Sequence, residues 1–241
     1  MPELAVLGTP TIKRIYGDWT MPNLAGWKRK LLEYAITPIQ QYGYTTGKNS
    51  TDSAMIIDAM DILYSEKVDG FCIVSSDSDF TRLAIRLREA GMKVIGIGER
   101  KTPKPFIVSC DKFIYIEVLS KAAEKADAPD PPAPKKPKKT EHAAAAEPAT
   151  VAENPNKKQE ITQDVISLIA TSVDDVADDD GWAYLGEVGT LLIKKMPDFD
   201  SRNYGYKKLS ALVQSLDSFD IEYQKGVKAD GSIILIRVKR D

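Results

Sequence analysis

A stretch of forty residues, from Ser120 to Gln159, divides the chain and most limits what it can fold into. It holds seven prolines, four consecutive alanines from Ala143 to Ala146, and almost no large apolar side chain. A segment of this composition buries too little surface to offset the conformational entropy lost on ordering, so it is predicted to be a disordered linker. The sequence therefore predicts two folded domains, residues 1–119 and 160–241, joined by residues 120–159.

Charge alone does not identify a partner. The 241 residues carry a formal net charge of −2, and residues 161–241 contain 10 basic and 14 acidic side chains. Any nucleic-acid surface in the second domain must therefore be a local patch. A basic cluster from Lys135 to Lys139 lies inside the predicted linker. It is interpreted as a solvated charge run, with a tether that contacts phosphates as the alternative.

Several classes of protein are excluded by composition. The single histidine, His142, lies in the predicted linker, which argues against histidine-based catalysis. Two cysteines, Cys72 and Cys110, are too few for a disulfide framework or a four-cysteine zinc site. No apolar run approaches the roughly 18 residues needed to cross a bilayer, and no secretory signal is visible, so we expect a cytoplasmic protein without a membrane partner. Carboxylates with a metal ion remain as the candidate catalytic groups.

The first 119 residues alternate short apolar runs with helical patterns, which predicts an α/β fold with a mostly parallel sheet flanked by helices. Strands are predicted at Thr11–Tyr16, Thr37–Tyr42, Gly70–Ser75 and Lys93–Gly98, and helices at Leu24–Tyr34, Asp52–Leu63 and Asp79–Glu89. Phe113–Leu119 is expected to close the domain as a strand or short helix. The run Gly70–Ser75 is apolar almost throughout, which is typical of a strand buried on both faces.

The last 81 residues predict a small winged-helix-like domain. Helices are predicted at Ile161–Val173, Leu185–Met196 and Lys207–Ser215. Phe219–Gln224 and Ser232–Lys239 alternate apolar and polar residues and are predicted to pair as a hairpin. Three helices and a two-stranded wing are enough for an independent domain.

Acidic side chains follow the most strand-like run in the chain. Asp77 and Asp79 come directly after the predicted strand Gly70–Ser75, where sites form in open α/β sheets. Asp52 lies at the start of a predicted helix, and Asp58, about 240° further around that helix, is not expected to share its face. Plain helix capping and a metal site at Asp52, Asp77 and Asp79 both stay open. Carboxylate oxygens without histidine would suit Mg²⁺ or Mn²⁺.

These residues carry a resemblance. The segment Gly47-Lys48 through Thr51-Asp52-Ser53-Ala54, followed by FCIVSSDSDFTRLAIRLREAGMKVIGIG, resembles an NYN domain, a relative of the PIN nucleases. The resemblance covers about residues 5–119. It implies a Rossmann-like parallel sheet flanked by helices, with an acidic cluster that binds a divalent metal. By that resemblance, Asp52, Asp77 and Asp79 are the catalytic and metal-binding residues, Ser75 or Ser76 is a polar neighbour, and Lys48 faces the RNA backbone.

One part of the family pattern is not visible. NYN domains normally open with an apolar strand that ends in an Asp-x-x-Asn motif and supplies the first carboxylate. No such strand or aspartate precedes Thr11. We therefore expect that the domain is N-terminally truncated or has lost this element, and that one metal ligand is absent with it.

The second domain carries a resemblance of its own. Asp180-Gly181-Trp182-Ala183, the pair Gly186 and Gly189, and the run Arg202-Asn203-Tyr204-Gly205-Tyr206-Lys207-Lys208 resemble an OST-HTH, or LOTUS, domain. The family is associated with RNA or with protein partners. Arg202, Lys207 and Lys208 would contact phosphates, and Tyr204 or Tyr206 would stack on an unpaired base. The alternative places Tyr204 in the core, Gly205 in a turn with positive φ, and the lysines on a solvated face.

Together the two resemblances imply a divalent-metal-dependent endoribonuclease that cuts RNA held by the LOTUS domain. The alternative is an RNA-associated regulatory protein whose NYN domain is catalytically weak or inactive. A third and weaker hypothesis is hydrolysis of a small phosphoester at the same acidic cluster.

Overall fold

The computed structural model describes residues 2–43, 50–119, 159–225 and 232–239. Lys48 and nearly all of the predicted linker lie outside the described residues. None of the described helices is both long and apolar enough to cross a membrane.

The first domain alternates helices and strands, as predicted. Its helices are α1 (Pro2–Leu7), α2 (Trp27–Glu33), α3 (Ser50–Tyr64), α4 (Thr81–Glu89) and α5 (Lys104–Val108). Its strands are β1 (Arg14–Gly17), β2 (Thr37–Gln40), β3 (Gly70–Val74), β4 (Lys93–Gly98) and β5 (Lys112–Tyr115). Gly91 follows α4 with a φ of +82°, which glycine adopts without steric cost at the end of a helix. Residues 116–119 are helical, so the segment Phe113–Leu119 is part strand and part helix.

The strands form two separate sheets. β1 and β2 pair in parallel, from Arg14 opposite Thr37 to Gly17 opposite Gln40. A three-stranded sheet has the order β3-β4-β5, and β3 and β4 are parallel. This arrangement confirms the predicted α/β class with parallel pairing flanked by helices.

The prediction that Gly70–Ser75 is buried on both faces is wrong. β3 is at the edge of its sheet, and only Ile73 is buried, whereas Val74 is 61% exposed. The central strand β4 is buried from Val94 to Gly98, and β5 is buried from Phe113 to Tyr115. An apolar run predicts that a strand packs against a core, but it does not show which elements cover each face of the strand.

The apolar residues of two helices extend beyond the buried faces of those helices. On α2, Leu31 is buried but Leu32 is 79% exposed, and on α3, Leu63 is buried but Ile57 is 63% exposed. Leu32 lies about 100° around α2 from Leu31, and Ile57 lies about 160° around α3 from the buried Ala59, so apolar character alone does not show which face of a helix packs.

The second domain is also helical with a small sheet. Its elements are α6 (Gln163–Asp174), β6 (Ala183–Tyr184), α7 (Leu185–Lys195), α8 (Leu209–Gln214), β7 (Phe219–Lys225) and β8 (Ser232–Val238). β7 and β8 pair antiparallel, with Ile221 opposite the fully buried Ile236, which confirms the predicted hairpin. The sheet order is β6-β8-β7. The two-residue strand β6 was not predicted because it is too short to show a period.

Candidate metal centre and nucleic-acid interface

The turn after β3 positions two of the predicted acidic residues. The Ser75 backbone N–H donates to the Ile97 carbonyl at 2.9 Å, which extends the β3–β4 pairing by one residue. The Asp77 backbone N–H then donates to Ser75 Oγ at 3.1 Å, and the chain turns into a short 3-10 helix, Ser78–Phe80, that leads into α4. Both carboxylates thus leave the carboxyl end of a parallel strand, as the sequence predicts.

Asp77 caps the short helix. It has extended backbone angles, and its Oδ1 accepts a hydrogen bond from the Asp79 backbone N–H at 2.9 Å. The capping interpretation is therefore correct for Asp77. A carboxylate has two oxygens and several lone pairs, so this single bond leaves room for a further ligand.

Asp52 approaches the same point from the first turn of α3. One carboxylate oxygen from each of Asp52, Asp77 and Asp79 lies within 4.8 Å of the others. Asp52 is half-buried, and Asp77 and Asp79 are exposed. Burial raises the pKa of the Asp52 carboxyl, and the negative charges of Asp77 and Asp79 raise it further. We name these three residues the acidic cluster.

The acidic cluster fits a divalent cation. Three carboxylates this close repel one another, and a cation between them would remove that repulsion. The oxygen-only donor set matches the preference of Mg²⁺ and Mn²⁺.

Two further polar side chains, those of Asp58 and Ser76, have structural partners. Asp58, which was not expected to share the face of Asp52, accepts hydrogen bonds from Arg14 and from the Tyr16 hydroxyl instead. Burial, together with the hydrogen bond to Asp58, raises the pKa of Tyr16. Ser76 Oγ accepts a hydrogen bond from the Glu99 backbone N–H at 2.8 Å. Sequence reasoning did not find Glu99, whose partner lies 23 residues away.

In the second domain, the predicted RNA-contacting residues occupy different environments. Arg202 donates from Nε at 3.0 Å and from Nη2 at 2.7 Å to the carboxylate of Asp200. Tyr204 is only 8% exposed, and Gly205 has a φ of +91°, as the core interpretation expects.

The two lysines that follow are exposed. Lys207 and Lys208 lie just before α8, and Lys208 has the extended angles of its N-cap. Of the four predicted RNA-contacting residues in this domain, these two lysines are therefore the exposed ones. RNA contact by any of the four stays a prediction.

Comparison with known proteins identifies both domains. The NYN domain family matches residues 1–117, and the OST-HTH/LOTUS domain family matches residues 156–228. Among curated proteins, none matches the chain significantly.

Three solved structures show similarity to parts of the chain. An NMR structure from Nitrosomonas europaea is 36% identical, over 40% of this chain and 90% of that chain, with a TM-score of 0.31. An NMR structure from Chromobacterium violaceum is 29% identical, over 35% of this chain and 90% of that chain, with a TM-score of 0.28. A crystal structure of a protein of unknown function from Vibrio parahaemolyticus is 23% identical, over 44% of this chain and 68% of that chain, with a TM-score of 0.38.

The family matches agree with the two folds described above. The chain therefore combines an NYN domain of the PIN-like nuclease superfamily, at residues 1–117, with an OST-HTH/LOTUS domain at residues 156–228.

Proposed function

We propose that this protein is a divalent-metal-dependent endoribonuclease whose NYN domain cuts RNA that its LOTUS domain holds. The observation that carries the proposal is the approach of three carboxylates to within 4.8 Å at the carboxyl end of β3. A nuclease with an RNA-binding module is what the combination of NYN and LOTUS domains supports at the family level.

In this proposal, Asp52, Asp77 and Asp79 hold Mg²⁺ or Mn²⁺. A divalent ion held in this way would stabilise the charge of a phosphoryl transition state and lower the pKa of water. The carboxylates by themselves would repel an RNA phosphate, so the chain needs a cation before its substrate can approach.

The protein orients these carboxylates before substrate arrives. The hydrogen bond from the Asp79 backbone N–H fixes one oxygen of Asp77, and Ser75 Oγ holds the backbone of Asp77 in turn. Asp52 is half-buried at the first turn of α3, where the helix dipole favours its negative charge. The exposure of Asp77 and Asp79 leaves the outer side of the cluster open to a phosphodiester.

The LOTUS domain contributes binding in this proposal. Lys207 and Lys208 are exposed and adjacent, and two ammonium groups can contact neighbouring phosphates of a single strand. The domain is acidic as a whole, so this local pair would account for much of its affinity.

A second candidate is an RNA-associated regulator without cleavage activity. It is favoured by the exposure of the acidic cluster. Among the described residues, the cluster has three carboxylates, and those of Asp77 and Asp79 are exposed. Exposed ligands enclose a cation poorly, so the cluster would bind the cation weakly. Without a firmly bound cation, the NYN domain would bind RNA but not cut it.

The experiment is cleavage of a labelled single-stranded RNA by the full chain with Mg²⁺, with Mn²⁺ or with EDTA, using a circular RNA to distinguish internal cuts. We expect cleavage with at least one cation and none with EDTA or with Asp79→Asn. The matched control is Asp61→Asn, an exposed aspartate on α3, nine residues and about 13 Å along the helix from Asp52. RNA binding without cleavage by the parent protein would favour the regulator, and neither binding nor cleavage would exclude both candidates.

A further inference from the structure

A shallow groove opens beside the acidic cluster and shares Asp77 with the proposed metal site. Its volume is about 450 Å³, and it is lined by Ser76, Asp77, Ser78, Lys101 and Pro103. The groove is open to solvent, so an extended strand can lie along it.

The floor of the groove is held by contacts between two loops. The Glu99 backbone N–H donates to Ser76 Oγ at 2.8 Å, which ties the loop after β4 to the loop after β3. At Gly98, an added Cβ would lie 2.6 Å from the Ser75 carbonyl oxygen and 2.7 Å from Thr102 Oγ1. The backbones therefore approach so closely that only glycine fits at position 98, and the two loops together form the floor of the groove.

The turn that carries Lys101 is fixed at both ends. The Thr102 backbone N–H donates to the Glu99 carbonyl at 3.0 Å, and the Thr102 hydroxyl donates to the same oxygen at 2.6 Å. Thr102 is buried, whereas the Lys101 side chain is 76% exposed. The backbone of Lys101 is thus held in place, while its exposed side chain forms an ion pair with Glu99 beside the groove.

Lys101 supplies positive charge beside the acidic cluster. Of the five described residues that line the groove, it is the basic one, and its Nζ lies 2.7 Å from Glu99 Oε2. Exposed ion pairs of this kind contribute little to stability, so an incoming anion can replace Glu99 at small cost.

We propose that Lys101 binds the RNA phosphate that flanks the phosphate at the acidic cluster, and so sets the position of the strand relative to the cut. This inference rests on the proposed function. A strand that enters beside three carboxylates meets a repulsive field at every phosphate other than the one next to the cation. A lysine on the same groove as Asp77 offsets that repulsion for the neighbouring phosphate, which displaces Glu99 from the ammonium group.

The test compares steady-state cleavage of single-stranded RNA by full-length Lys101→Gln, Lys101→Arg and Glu99→Gln proteins. We expect Lys101→Gln to raise KM by about tenfold with kcat changed less than about twofold, because a flanking contact is equally strong in the ground and transition states. Lys101→Arg should restore KM to within about twofold, and Glu99→Gln, which removes the competing carboxylate, should lower KM. The control is Lys104→Gln, an exposed lysine outside the groove lining, which should leave both constants unchanged.

Binding provides an independent readout. In an Asp79→Asn background, which is expected not to cleave, Lys101→Gln should reduce the slope of log affinity against log salt by about one phosphate contact. The melting curves of this double variant, with and without Mn²⁺, should match those of Asp79→Asn alone.

The outcomes separate the inference from the proposed function. If the parent cleaves RNA and Lys101→Gln changes neither KM nor the salt slope, the role of Lys101 is wrong while the nuclease assignment stands. A loss in kcat at constant KM would place Lys101 at the reacting phosphate and overturn the flanking position. A parent that neither binds nor cleaves RNA would overturn the proposed function, and this inference with it.

Discussion

Replacing Asp77 with Asn should stabilise the protein without divalent cations and destabilise it, relative to the parent, when a cation is present. The substitution removes one negative charge from the acidic cluster and keeps a side-chain oxygen that can accept the hydrogen bond from the Asp79 backbone N–H. Asn and Asp are about equally good N-caps, so the short helix after β3 should be unaffected.

The size of the effect follows from the distances. Two unit charges 4.8 Å apart repel by about 0.9 kcal/mol at the dielectric constant of water. Asp77 has two such neighbours, and screening at physiological ionic strength reduces the sum to about 1 kcal/mol. For a domain of about 120 residues, this free energy corresponds to a rise in melting temperature of about 4 °C in EDTA.

A cation should reverse the order of stability and make the parent more stable than Asp77→Asn. Mn²⁺ at ten times its dissociation constant would stabilise the parent by about 1.4 kcal/mol, whereas Asp77→Asn should lose most of this gain. Thermal unfolding of both proteins, in EDTA and across a Mn²⁺ titration, measures the Mn²⁺ concentration above which the parent melts at the higher temperature. The control Asp61→Asn, an exposed aspartate on α3, should follow the parent at every concentration.

Two results would refute the reasoning. If Asp77→Asn melts below the parent in EDTA, the carboxylates do not repel one another as the distances imply. If Asp77→Asn keeps the full rise with Mn²⁺, the cation that stabilises the protein binds somewhere else.

Three further predictions concern other parts of the chain. Gly96→Ala would place a Cβ 2.4 Å from a buried phenylalanine ring and should cost about 1–3 kcal/mol in chemical denaturation, whereas Gly26→Ala, with no atom within 4 Å, should be nearly neutral. Replacing both Lys207 and Lys208 with Ala should weaken RNA binding across sequences and flatten its salt dependence in filter-binding assays; binding equal to that of the parent would favour a protein partner for the LOTUS domain. Limited proteolysis followed by mass spectrometry should find the first cuts between Ser120 and Gln159, and a first cut within either domain would contradict the predicted linker.

Much of the fold was predictable because the signals that define it are local. The alternation of apolar runs and helical patterns in residues 1–119 predicted β3, α4 and β4 to within one or two residues, since each period is set by neighbours along the chain. The position of Asp77 and Asp79 after a strand was visible for the same reason. So was the hairpin β7–β8 of the LOTUS domain.

The tertiary structure decided what depends on residues far apart in the chain. Asp52 and Asp77 are 25 residues apart in the chain, and their carboxylates come close only in the folded protein. The sequence did not decide whether they would, because helix capping explains the same residues equally well. The run Gly70–Ser75 looked buried, but its exposure depends on which strands pair beside it. That Arg202 pairs with Asp200 is visible only in the folded protein. Periodicity gives each segment its secondary structure, whereas the partners of a side chain follow from how segments pack, which no local pattern contains.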